Sequence, residues 1–599
     1  MYKINYSYLK QIISIFWLLL SFTICAQADV ISPRDIVSPI EAKNAMVVVD
    51  EPLAAQVGLN ILKRGGNAVD AAVAIGFTMA VTYPRAGNLG GGGFMLIFLA
   101  KTSQVIAIDY RETAPALAHN NMFLDKEGNV NKQLSRFSHL SVGVPGTVAG
   151  LALALEKYGT LSLAETLAPA ITLAEKGFII PAYFARDLKQ RINMFQPWEA
   201  SQATFLKPDG TFYEMGDLFV QPELATTLKR IAEQGIRAFY QGDIAQLIVK
   251  DMKAYDGLIR LSDLSAYKPV IRQPVHGTYR GYDVYSMSPP SSGGVHILQI
   301  LNTLEQDDIK NLGHNSAATI HLMSEAMKYA YADRSEYLGD PDFVEVPIAG
   351  LIDKNYAAQL RSHMNEQTST PSEHIWPGAC TLDTSPTVCT FTRVKLKPHT
   401  CKSTEESKET THYSIIDKAG NAVSNTYTLN FSFGSGIVVP GAGFLLNNEM
   451  NDFSAKPGTP NAYGLVGGCA NAIVPHKRML SSMSPTIVLK DGQPFLITGS
   501  PGGSRIITTT LQVLMNVIDH GMNIQEAVNA VRIHHQWLPD EIRIEEGVSV
   551  DTLRLLKQMG HKVVTKNTMG AASSILIDQT LGIYYGAADP RRQGVAFGF

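Results

Sequence analysis

The chain has 599 residues, of which 45% are hydrophobic and 18% are charged, a composition typical of a globular protein with a large core. A formal net charge of −3 and the lack of long lysine or arginine runs argue against nucleic-acid binding. Five cysteines are too few for a disulfide-scaffold protein.

The first 28 residues have the features of a secretory signal peptide. Lys3 and Lys10 give a positive amino-terminal region, residues 12–24 are mostly apolar, and residues 26–28 form a small-x-small cleavage pattern. The alternative is an uncleaved anchor helix, but the apolar stretch is short for a span of about 20 residues. We therefore expect cleavage before Asp29 and a periplasmic or secreted product that leaves the membrane.

The next segment predicts a strand followed by helices. Residues 47–49 are β-branched, and Asp50 is placed to cap a helix that ends at Gly65-Gly66. Asn67 is placed to cap the following helix. Further amphipathic helices are predicted at residues 161–177 and 320–337.

Hydrophobic periodicity stops between residues 365 and 409, where Thr, Ser, Pro, Lys and Glu dominate. Three cysteines fall in this segment: Cys380, Cys389 and Cys401. Their pairing is open, and Cys469 further along could be a free thiol. The composition predicts an exposed connector that divides the chain into residues 29–409 and 410–599.

The part that follows begins with paired strands. Residues 411–417 and 423–431 alternate around a turn at 418–421, and residues 495–500 predict a strand before a helix at 505–520. Strands and helices therefore mix along the whole chain, which indicates an α/β or α+β fold with layers of both.

Thr410 stands where the connector enters the first of these strands. If the bond between Glu409 and Thr410 breaks, Thr410 gains a free α-amine, whose ordinary pKa near 7.7–8.0 lets it act as a base for its own hydroxyl. An N-terminal threonine is a known form of activated nucleophile. A threonine at a strand start is more often structural, so this signal is weak by itself.

The hairpin pattern adds to the case for Thr410. If Asp417 pairs with Ala422, Thr410 lies opposite Leu429, with Thr428 and Asn430 as diagonal neighbours. These polar groups could bind the nucleophile or a substrate, although a cross-strand threonine ladder explains them equally well. Downstream, Gly502 and Gly503 lie between a strand and a helix, where their N–H groups could stabilise an oxyanion or simply form a turn.

Motifs for the common cofactors and metals do not occur. The chain has no P-loop, no HExxH, no CxxC and no GxSxG, and the glycine run at 87–93 fails the dinucleotide spacing, which leaves a tight turn with close backbone approach. His534 and His535 would point to opposite faces of a strand and make a poor chelate. We therefore expect no cofactor and no metal.

Several longer strings resemble the γ-glutamyltranspeptidase family, and together they span nearly the whole chain after residue 28. In the second part these strings are TTHYSIIDKAGNAVSNTYTLN from Thr410, LLNNEMNDFSAKPG from Leu445, SSMSPT from Ser481 and GSPGGSRI from Gly499. In the first part they are GNAVDAAVA from Gly66, DYRETAP from Asp109, PPSSGG from Pro289 and YADRSEYLGDPDF from Tyr331. The segment from 365 to 409 departs from the family by its length and its cysteines.

The resemblance implies a four-layer αββα sandwich of the N-terminal-nucleophile hydrolase type that cleaves itself between Glu409 and Thr410. The two resulting subunits, residues 29–409 and 410–599, would remain together as a heterodimer. Thr410 would attack γ-glutamyl donors such as glutathione and pass the γ-glutamyl group through a Thr410 ester to water, amino acids or dipeptides.

The resemblance also assigns roles within the site. Thr428 would hydrogen-bond the nucleophile, and Gly502 and Gly503 would form the oxyanion hole. The substrate α-carboxylate would bind Arg111, Ser481 and Ser482; the α-ammonium would bind Asn430, Glu449 and Asp452. Residues 453–480, including Tyr463, would form a lid. These assignments suit a zwitterionic end group, because a guanidinium binds a carboxylate with two hydrogen bonds and carboxylates bind an ammonium.

Two other functions compete with this one. A related acylase would cleave glutaryl-type amides, and a self-cleaving exported binding protein would lack turnover. The assumed ammonium-binding set argues against the first alternative, and the filled motif positions argue against the second.

Overall fold

The computed structural model describes residues 37–381, 387–391, 409–461 and 464–599. The predicted signal peptide, Cys401 and Tyr463 lie outside these residues. In the described part of the chain, no helix combines the length and the apolar character that crossing a membrane requires.

The strands are short and are distributed along the whole described chain. In chain order they are β1 (Ile40–Ala42), β2 (Met46–Val49), β3 (Gly92–Leu99), β4 (Gln104–Asp109), β5 (Phe178–Ile179), β6 (Leu218–Phe219), β7 (Val270–Arg272), β8 (Val275–Tyr279), β9 (Tyr282–Ser286), β10 (Ala379–Thr381), β11 (Val388–Thr390), β12 (Thr411–Ile416), β13 (Ala422–Thr428), β14 (Thr486–Lys490), β15 (Gln493–Thr498), β16 (Ile533–His534), β17 (Ile542–Ile544), β18 (Val563–Thr565), β19 (Ser573–Asp578), β20 (Ile583–Ala588) and β21 (Val595–Gly598).

The longer helices fall between these strands. They are α1 (Pro52–Lys63), α2 (Ala68–Thr82), α3 (Thr147–Tyr158), α4 (Leu163–Lys176), α5 (Ala182–Gln190), α6 (Pro222–Gln234), α7 (Asp243–Ala254), α8 (Gly293–Leu304), α9 (Ala317–Tyr337), α10 (Lys354–Ser362), α11 (Arg505–Ile518) and α12 (Val550–Gln558). Shorter helices cover Lys132–Phe137, Ile192–Phe195, Glu199–Phe205, Arg237–Tyr240, Leu261–Ala266, Ile309–Leu312, Ile348–Leu351 and Ile524–Asn529.

Two seven-stranded antiparallel sheets form the centre of the fold. The first has the order β21-β2-β12-β13-β3-β4-β7, and the second has the order β1-β20-β19-β15-β14-β9-β8. Each sheet is assembled from both sides of the 409–410 bond, because β12 pairs with β2 and β14 pairs with β9. Main-chain hydrogen bonds therefore connect the two parts of the chain in both sheets.

Alternation along β2 shows how the layers form. Met46 and Val48 belong to the apolar layer between the two sheets, whereas Val47 and Val49 pack on the opposite face against α2 and its neighbours. Successive side chains of a strand point to opposite faces, so a fully apolar strand can serve two layers. The second sheet is covered in the same way by α8, α9 and α11. The result is the predicted four-layer αββα sandwich.

Local predictions for the amino-terminal helices were partly right. Asn67 caps α2 as predicted and forms a capping box with Asp70. The cap of α1 is Glu51 rather than Asp50, because the Glu51 carboxylate accepts from the backbone N–H of Leu53 and Ala54. Asp50 instead pairs with Arg592, across the sheet.

The glycine run at 87–93 forms the predicted close backbone approach. A Cβ atom on Gly91 would lie 2.1 Å from the carbonyl oxygen of Thr428. Glycine at this position therefore lets the start of β3 lie directly against the end of β13.

Part of the segment that was expected to be an exposed connector packs against the rest of the protein. Ile375 and Cys389 are buried, and the indole N–H of Trp537 donates to the carbonyl of Ser372. Cys380 and Cys389 form a disulfide across the β10–β11 hairpin. Other residues of the segment are exposed, among them residues 365–368, Glu373, His374 and Val388. The described residues are therefore exposed in part and packed against the second helical layer in part. Composition did not indicate the packed residues, because a hairpin closed by a disulfide needs little apolar surface of its own.

Candidate active site

The bond between Glu409 and Thr410 lies at the start of β12 with the threonine hydroxyl beside it. Thr410 Oγ1 donates to the carbonyl oxygen of Glu409 at 2.8 Å. Thr428 Oγ1 lies 3.3 Å from both that carbonyl oxygen and Thr410 Oγ1, and it accepts from the backbone N–H of Asn430 at 2.8 Å. The Thr410 hydroxyl, the Glu409–Thr410 peptide bond and the Thr428 hydroxyl thus form one buried group.

The pairing register differs by one residue from the predicted one. Thr411 pairs with Tyr427 and Ile416 pairs with Ala422, so Thr410 faces Thr428 and not Leu429. The turn has five residues, because the Asp417 carboxylate accepts from the N–H of Ala419 and Asn421. The longer turn is what brings the two threonine hydroxyls together.

The side chain of Glu409 is buried between two arginines. Arg85 donates to it through Nε at 2.9 Å and through Nη2, and Arg592 Nη2 lies 3.3 Å from it. Burial by itself would raise the pKa of the Glu409 carboxyl, but the two guanidinium groups outweigh burial and lower its pKa. Arg592 Nη1 also donates to the Thr410 carbonyl at 2.7 Å. Both sides of the bond are therefore fixed by charged hydrogen bonds.

Arg111 lies on the other side of the cleft within a group of carboxylates. Its side chain is 1% exposed, with Nη1 2.7 Å from Glu449 Oε2 and Nη2 2.5 Å from Asp452 Oδ2. Glu112 Oε2 is 3.6 Å from Nη1. One guanidinium is thus surrounded by three acids, which leaves an excess of negative charge when all of them are ionised.

Two carboxyl groups in this cluster have raised pKa values. Burial, reinforced by the neighbouring carboxylates, raises the pKa of Glu449 well above its usual range even though Arg111 opposes the shift. Burial likewise raises the pKa of Glu112 to about 8. Among the described residues, no hydrogen-bond donor is aligned with either Glu449 oxygen or with Asp452 Oδ1. An added cation would meet buried acceptors here.

Most of the predicted site residues line a single cleft. These residues are Arg111, Thr410, Thr428, Asn430, Glu449, Asp452, Ser481, Ser482 and Gly503. Gly502 precedes Gly503 without lining the cleft, and Glu409 lies behind Thr410. From the predicted lid, Asn461 and Leu465 line the cleft, whereas Tyr463 lies outside the described residues.

The two glycines after β15 have backbone conformations that favour glycine. Gly502 has φ of 134° and Gly503 has φ of 60°, and helix α11 begins two residues later at Arg505. A side chain at either position would strain the turn. This turn places backbone at the cleft next to the amino end of a helix, where the helix dipole favours negative charge.

Sequence reasoning missed Arg334 as a site residue. It lines the cleft from α9, donates through Nε to Ser292 Oγ at 3.0 Å, and lies 3.4 Å from Ser482 Oγ. Burial lowers its pKa to about 10. The residue lies within the string from Tyr331 that carried the family resemblance, but nothing in the sequence alone showed that it faces the same cleft as Arg111.

Comparison with known proteins agrees with this geometry. The sequence profile described as Gamma-glutamyltranspeptidase matches residues 54–599. A curated protein named Glutathione hydrolase proenzyme from Escherichia coli is 54% identical over 559 residues, which are 93% of this chain and 92% of that protein.

Two solved structures show the same fold. Cephalosporin acylase from Bacillus halodurans superposes with a TM-score of 0.80 at 28% identity, over 95% of this chain and 98% of the other. A chain of Helicobacter pylori gamma-glutamyltranspeptidase gives a TM-score of 0.54 at 48% identity, over 58% of this chain and 97% of that one.

Proposed function

Because this chain belongs to the gamma-glutamyltranspeptidase family, we propose that it is a self-processing γ-glutamyltransferase and glutathione hydrolase. The donors are glutathione and related γ-glutamyl compounds, and the acceptors are water, amino acids or dipeptides. The observation that supports this proposal is that Thr410 lines the same cleft as Arg111, Glu449 and Asp452. The Thr410 hydroxyl supplies a nucleophile, and the three charged side chains are complementary to the zwitterionic end of an amino acid.

Processing begins from the contact between Thr410 Oγ1 and the Glu409 carbonyl group. The hydroxyl oxygen attacks the carbonyl carbon, the C–N bond breaks, and the acyl group moves from nitrogen to oxygen as an ester. Water then hydrolyses this ester, which leaves a carboxylate on Glu409 and a free amine on Thr410. Thr428 supports the step, because its hydroxyl is within 3.3 Å of the oxygen on which negative charge develops.

Turnover uses the same oxygen with a new base. The freed α-amine of Thr410 takes the hydroxyl proton as Oγ1 attacks the γ-carbonyl of the donor, and returns the proton to the leaving amine. A γ-glutamyl-Thr410 ester remains until water or an acceptor amine attacks it. The N–H groups of Gly502 and Gly503 are proposed to stabilise the oxyanion in both halves of the reaction.

Substrate recognition is assigned to Arg111 and its acidic neighbours on the side of the cleft opposite Thr410. Arg111, with Ser481 and Ser482, is proposed to bind the α-carboxylate of the donor. Glu449, Asp452 and Asn430 would bind its α-ammonium, because Glu449 and Asp452 present buried oxygens to which no donor is aligned among the described residues. Binding this distant end orients the γ-carbonyl towards Thr410.

The processed chain is proposed to be a heterodimer of residues 29–409 and 410–599. The supporting observation is the first sheet, in which β12 and β13 of the smaller part lie between β2 and β3 of the larger part. Export to the periplasm or the medium after removal of residues 1–28 also belongs to this proposal, on the basis of the sequence alone.

An acylase that acts on glutaryl-type amides is the second candidate, favoured by the fold shared with cephalosporin acylase. A glutaryl group lacks the ammonium, so the buried carboxylates of Glu449 and Asp452 would have no partner in such a substrate. This charge argument favours the γ-glutamyl donor.

The test compares chromogenic γ-glutamyl and glutaryl anilides, each with and without glycylglycine as acceptor. We expect γ-glutamyl release only, with a faster rate when glycylglycine is present. Mass spectrometry of the same preparation should show two chains that meet at Glu409 and Thr410. Thr410→Ala should remain one inactive chain, and Thr410→Ser should process and turn over more slowly. Preference for the glutaryl anilide, or activity of uncleaved Thr410→Ala, contradicts the proposal.

A further inference from the structure

A second group of ionisable side chains lies away from the cleft, on the outer helical layer. His321 and Glu325 are four residues apart on α9 and therefore share one face of the helix. His561 approaches them from the segment between α12 and β18. The ligand atoms of these three buried residues all lie within 4.8 Å of one another. Two imidazoles and a carboxylate at this spacing form a potential cation site.

The hydrogen bonds of His321 fix which of its nitrogens is free. Its Nε2 lies 2.6 Å from the carbonyl oxygen of Asn365, which can only accept, so Nε2 carries the proton. The lone pair of Nδ1 therefore points towards His561 Nε2, 2.7 Å away. Histidine ligands of metal ions have this arrangement, with the second ring nitrogen donating to a backbone carbonyl.

His561 reaches the site with Nε2, the nitrogen that faces Nδ1 of His321. A neutral imidazole needs only to move its proton from Nε2 to Nδ1 to present a second lone pair to the site. This exchange with solvent releases no net proton.

Glu325 retains a carboxylate oxygen for a cation although it pairs with a lysine. Lys328 Nζ donates to Glu325 Oε1 at 2.7 Å, to Ser369 Oγ at 2.8 Å and to the Thr370 carbonyl at 2.7 Å, which uses its three protons. Glu325 Oε2 accepts from the Thr370 N–H at 3.2 Å and has a further lone pair.

A second carboxylate offsets part of the charge of Lys328. Asp540 Oδ1 lies 3.9 Å from Lys328 Nζ, so two carboxylates share one ammonium. His535 is close by but is already used on both sides: Nε2 is 3.2 Å from Asp540 Oδ1, and Nδ1 accepts from the Trp537 N–H. It therefore lies outside the ligand set.

We propose that His321, Glu325 and His561 bind a zinc ion. Two imidazole nitrogens and one carboxylate oxygen form a ligand set that zinc accepts, with water in the fourth position. The ion would join α9 to the segment before β18 and, through Asn365 and Thr370, to the chain that leads to β10. This site is separate from the His534–His535 pair and from the cleft that contains Thr410. The sequence analysis predicted no metal, so the proposed zinc ion differs from that prediction.

The test uses the processed protein with an affinity tag that contains no histidine, stripped with EDTA and then titrated calorimetrically with Zn²⁺. We expect one equivalent per heterodimer. His321→Gln and His561→Gln should each weaken binding at least tenfold, while His276→Gln, which changes an exposed histidine, should bind as the wild type does. Turnover of the γ-glutamyl anilide by each variant checks that it is folded.

Cobalt substitution provides a second measurement that needs no variant. Co²⁺ added to the stripped wild-type protein should give the visible absorption of a tetrahedral nitrogen and oxygen site, and Zn²⁺ should displace it. Less than one equivalent of Zn²⁺ in the wild type, full binding by His321→Gln, or no tetrahedral Co²⁺ spectrum would each overturn the proposal.

Discussion

At the scale of single residues, Arg111 is in contact with three buried or partly buried carboxylates in the cleft. In the structure this guanidinium is paired with Glu449 and Asp452, the same groups proposed to bind the substrate ammonium. A zwitterionic amino acid can insert into such a pair, because its carboxylate replaces the acids at Arg111 and its ammonium replaces Arg111 at the acids. In the structure Arg111 thus compensates part of the negative charge of these acids.

Arg111→Lys tests the importance of the two-pronged guanidinium. Lysine keeps the charge but loses the planar pair of donors, so we expect KM for γ-glutamyl donors to rise roughly 10- to 150-fold, equivalent to about 1.5–3 kcal/mol. Processing at Glu409–Thr410 should be normal. Steady-state kinetics provide the measurement, and the exposed Arg554→Lys is the matched control. An unchanged KM would remove Arg111 from the site.

His412, two residues after Thr410, should make stability depend on pH. Burial lowers its pKa to about 3, between Thr426 and Ser414. The unfolded chain binds this proton with an ordinary pKa near 6.5, so stability increases with pH from about 3 to about 6.5. Between pH 7 and pH 5, His412 alone should reduce the free energy of unfolding by about 2 kcal/mol.

Chemical denaturation of His412→Gln at both pH values measures this contribution. The variant should lose about 2 kcal/mol less than the wild type between pH 7 and pH 5, whatever its stability at pH 7. His276→Gln, at an exposed position, should keep the wild-type difference. Equal pH dependence in His412→Gln and the wild type would contradict a neutral buried His412.

At the scale of secondary-structure elements, the β10–β11 hairpin shows how a polar segment becomes part of the fold. Cys389 is buried beside Gly350, whose added Cβ would lie 2.6 Å from the cysteine sulfur. The segment before the hairpin is anchored as well, since the Gly378 N–H donates to Asp333 at 2.8 Å. The disulfide closes the hairpin, while the Gly378–Asp333 hydrogen bond and the packing of Cys389 hold it against the helices.

Replacing Cys380 and Cys389 together by serine should lower the free energy of unfolding by on the order of 2–3 kcal/mol, as expected for a short closed loop. Cys469→Ser is the matched control, because Cys469 is exposed and has no disulfide partner among the described cysteines. Denaturation curves with and without reductant provide the measurement. The reductant should affect the wild type and Cys469→Ser but not the double variant.

At the scale of the whole molecule, the bond that is proposed to break lies inside a sheet built from both parts of the chain. β12 pairs with β2 on one side and with β13 on the other, and β13 pairs with β3. The apolar layer between the sheets also contains residues from both parts, for example Val48 and Ile487. Breaking one peptide bond removes none of these contacts.

We therefore expect residues 29–409 and 410–599 to elute together in size-exclusion chromatography without denaturant. They should separate only after addition of urea or guanidinium, in the same transition that unfolds the protein. Uncleaved Thr410→Ala provides the reference elution volume. Elution of the smaller chain by itself from active enzyme would show that the shared sheets do not hold the subunits together.

The sequence by itself determined the layers, the family and most members of the site. Apolar strands and amphipathic helices predict a layered α/β or α+β fold, because burial of one or two faces gives the apolar residues a regular spacing. The family resemblance implied the four-layer αββα sandwich. The position of Thr410 at the start of a strand after a polar segment also led to the prediction that Thr410 is the nucleophile.

The tertiary structure decided which residues that are far apart in the sequence lie close together in space. The approach of Arg334 to Ser482, the pairing of Arg85 with Glu409, and the packing of Cys389 against Gly350 are contacts between remote parts of the chain. Such contacts cannot be predicted from the local sequence pattern. The pattern of apolar residues shows that a segment is a helix or a strand, but it does not show which remote segment packs against it. Only the packing of the two sheets and their helices brings these particular atoms together.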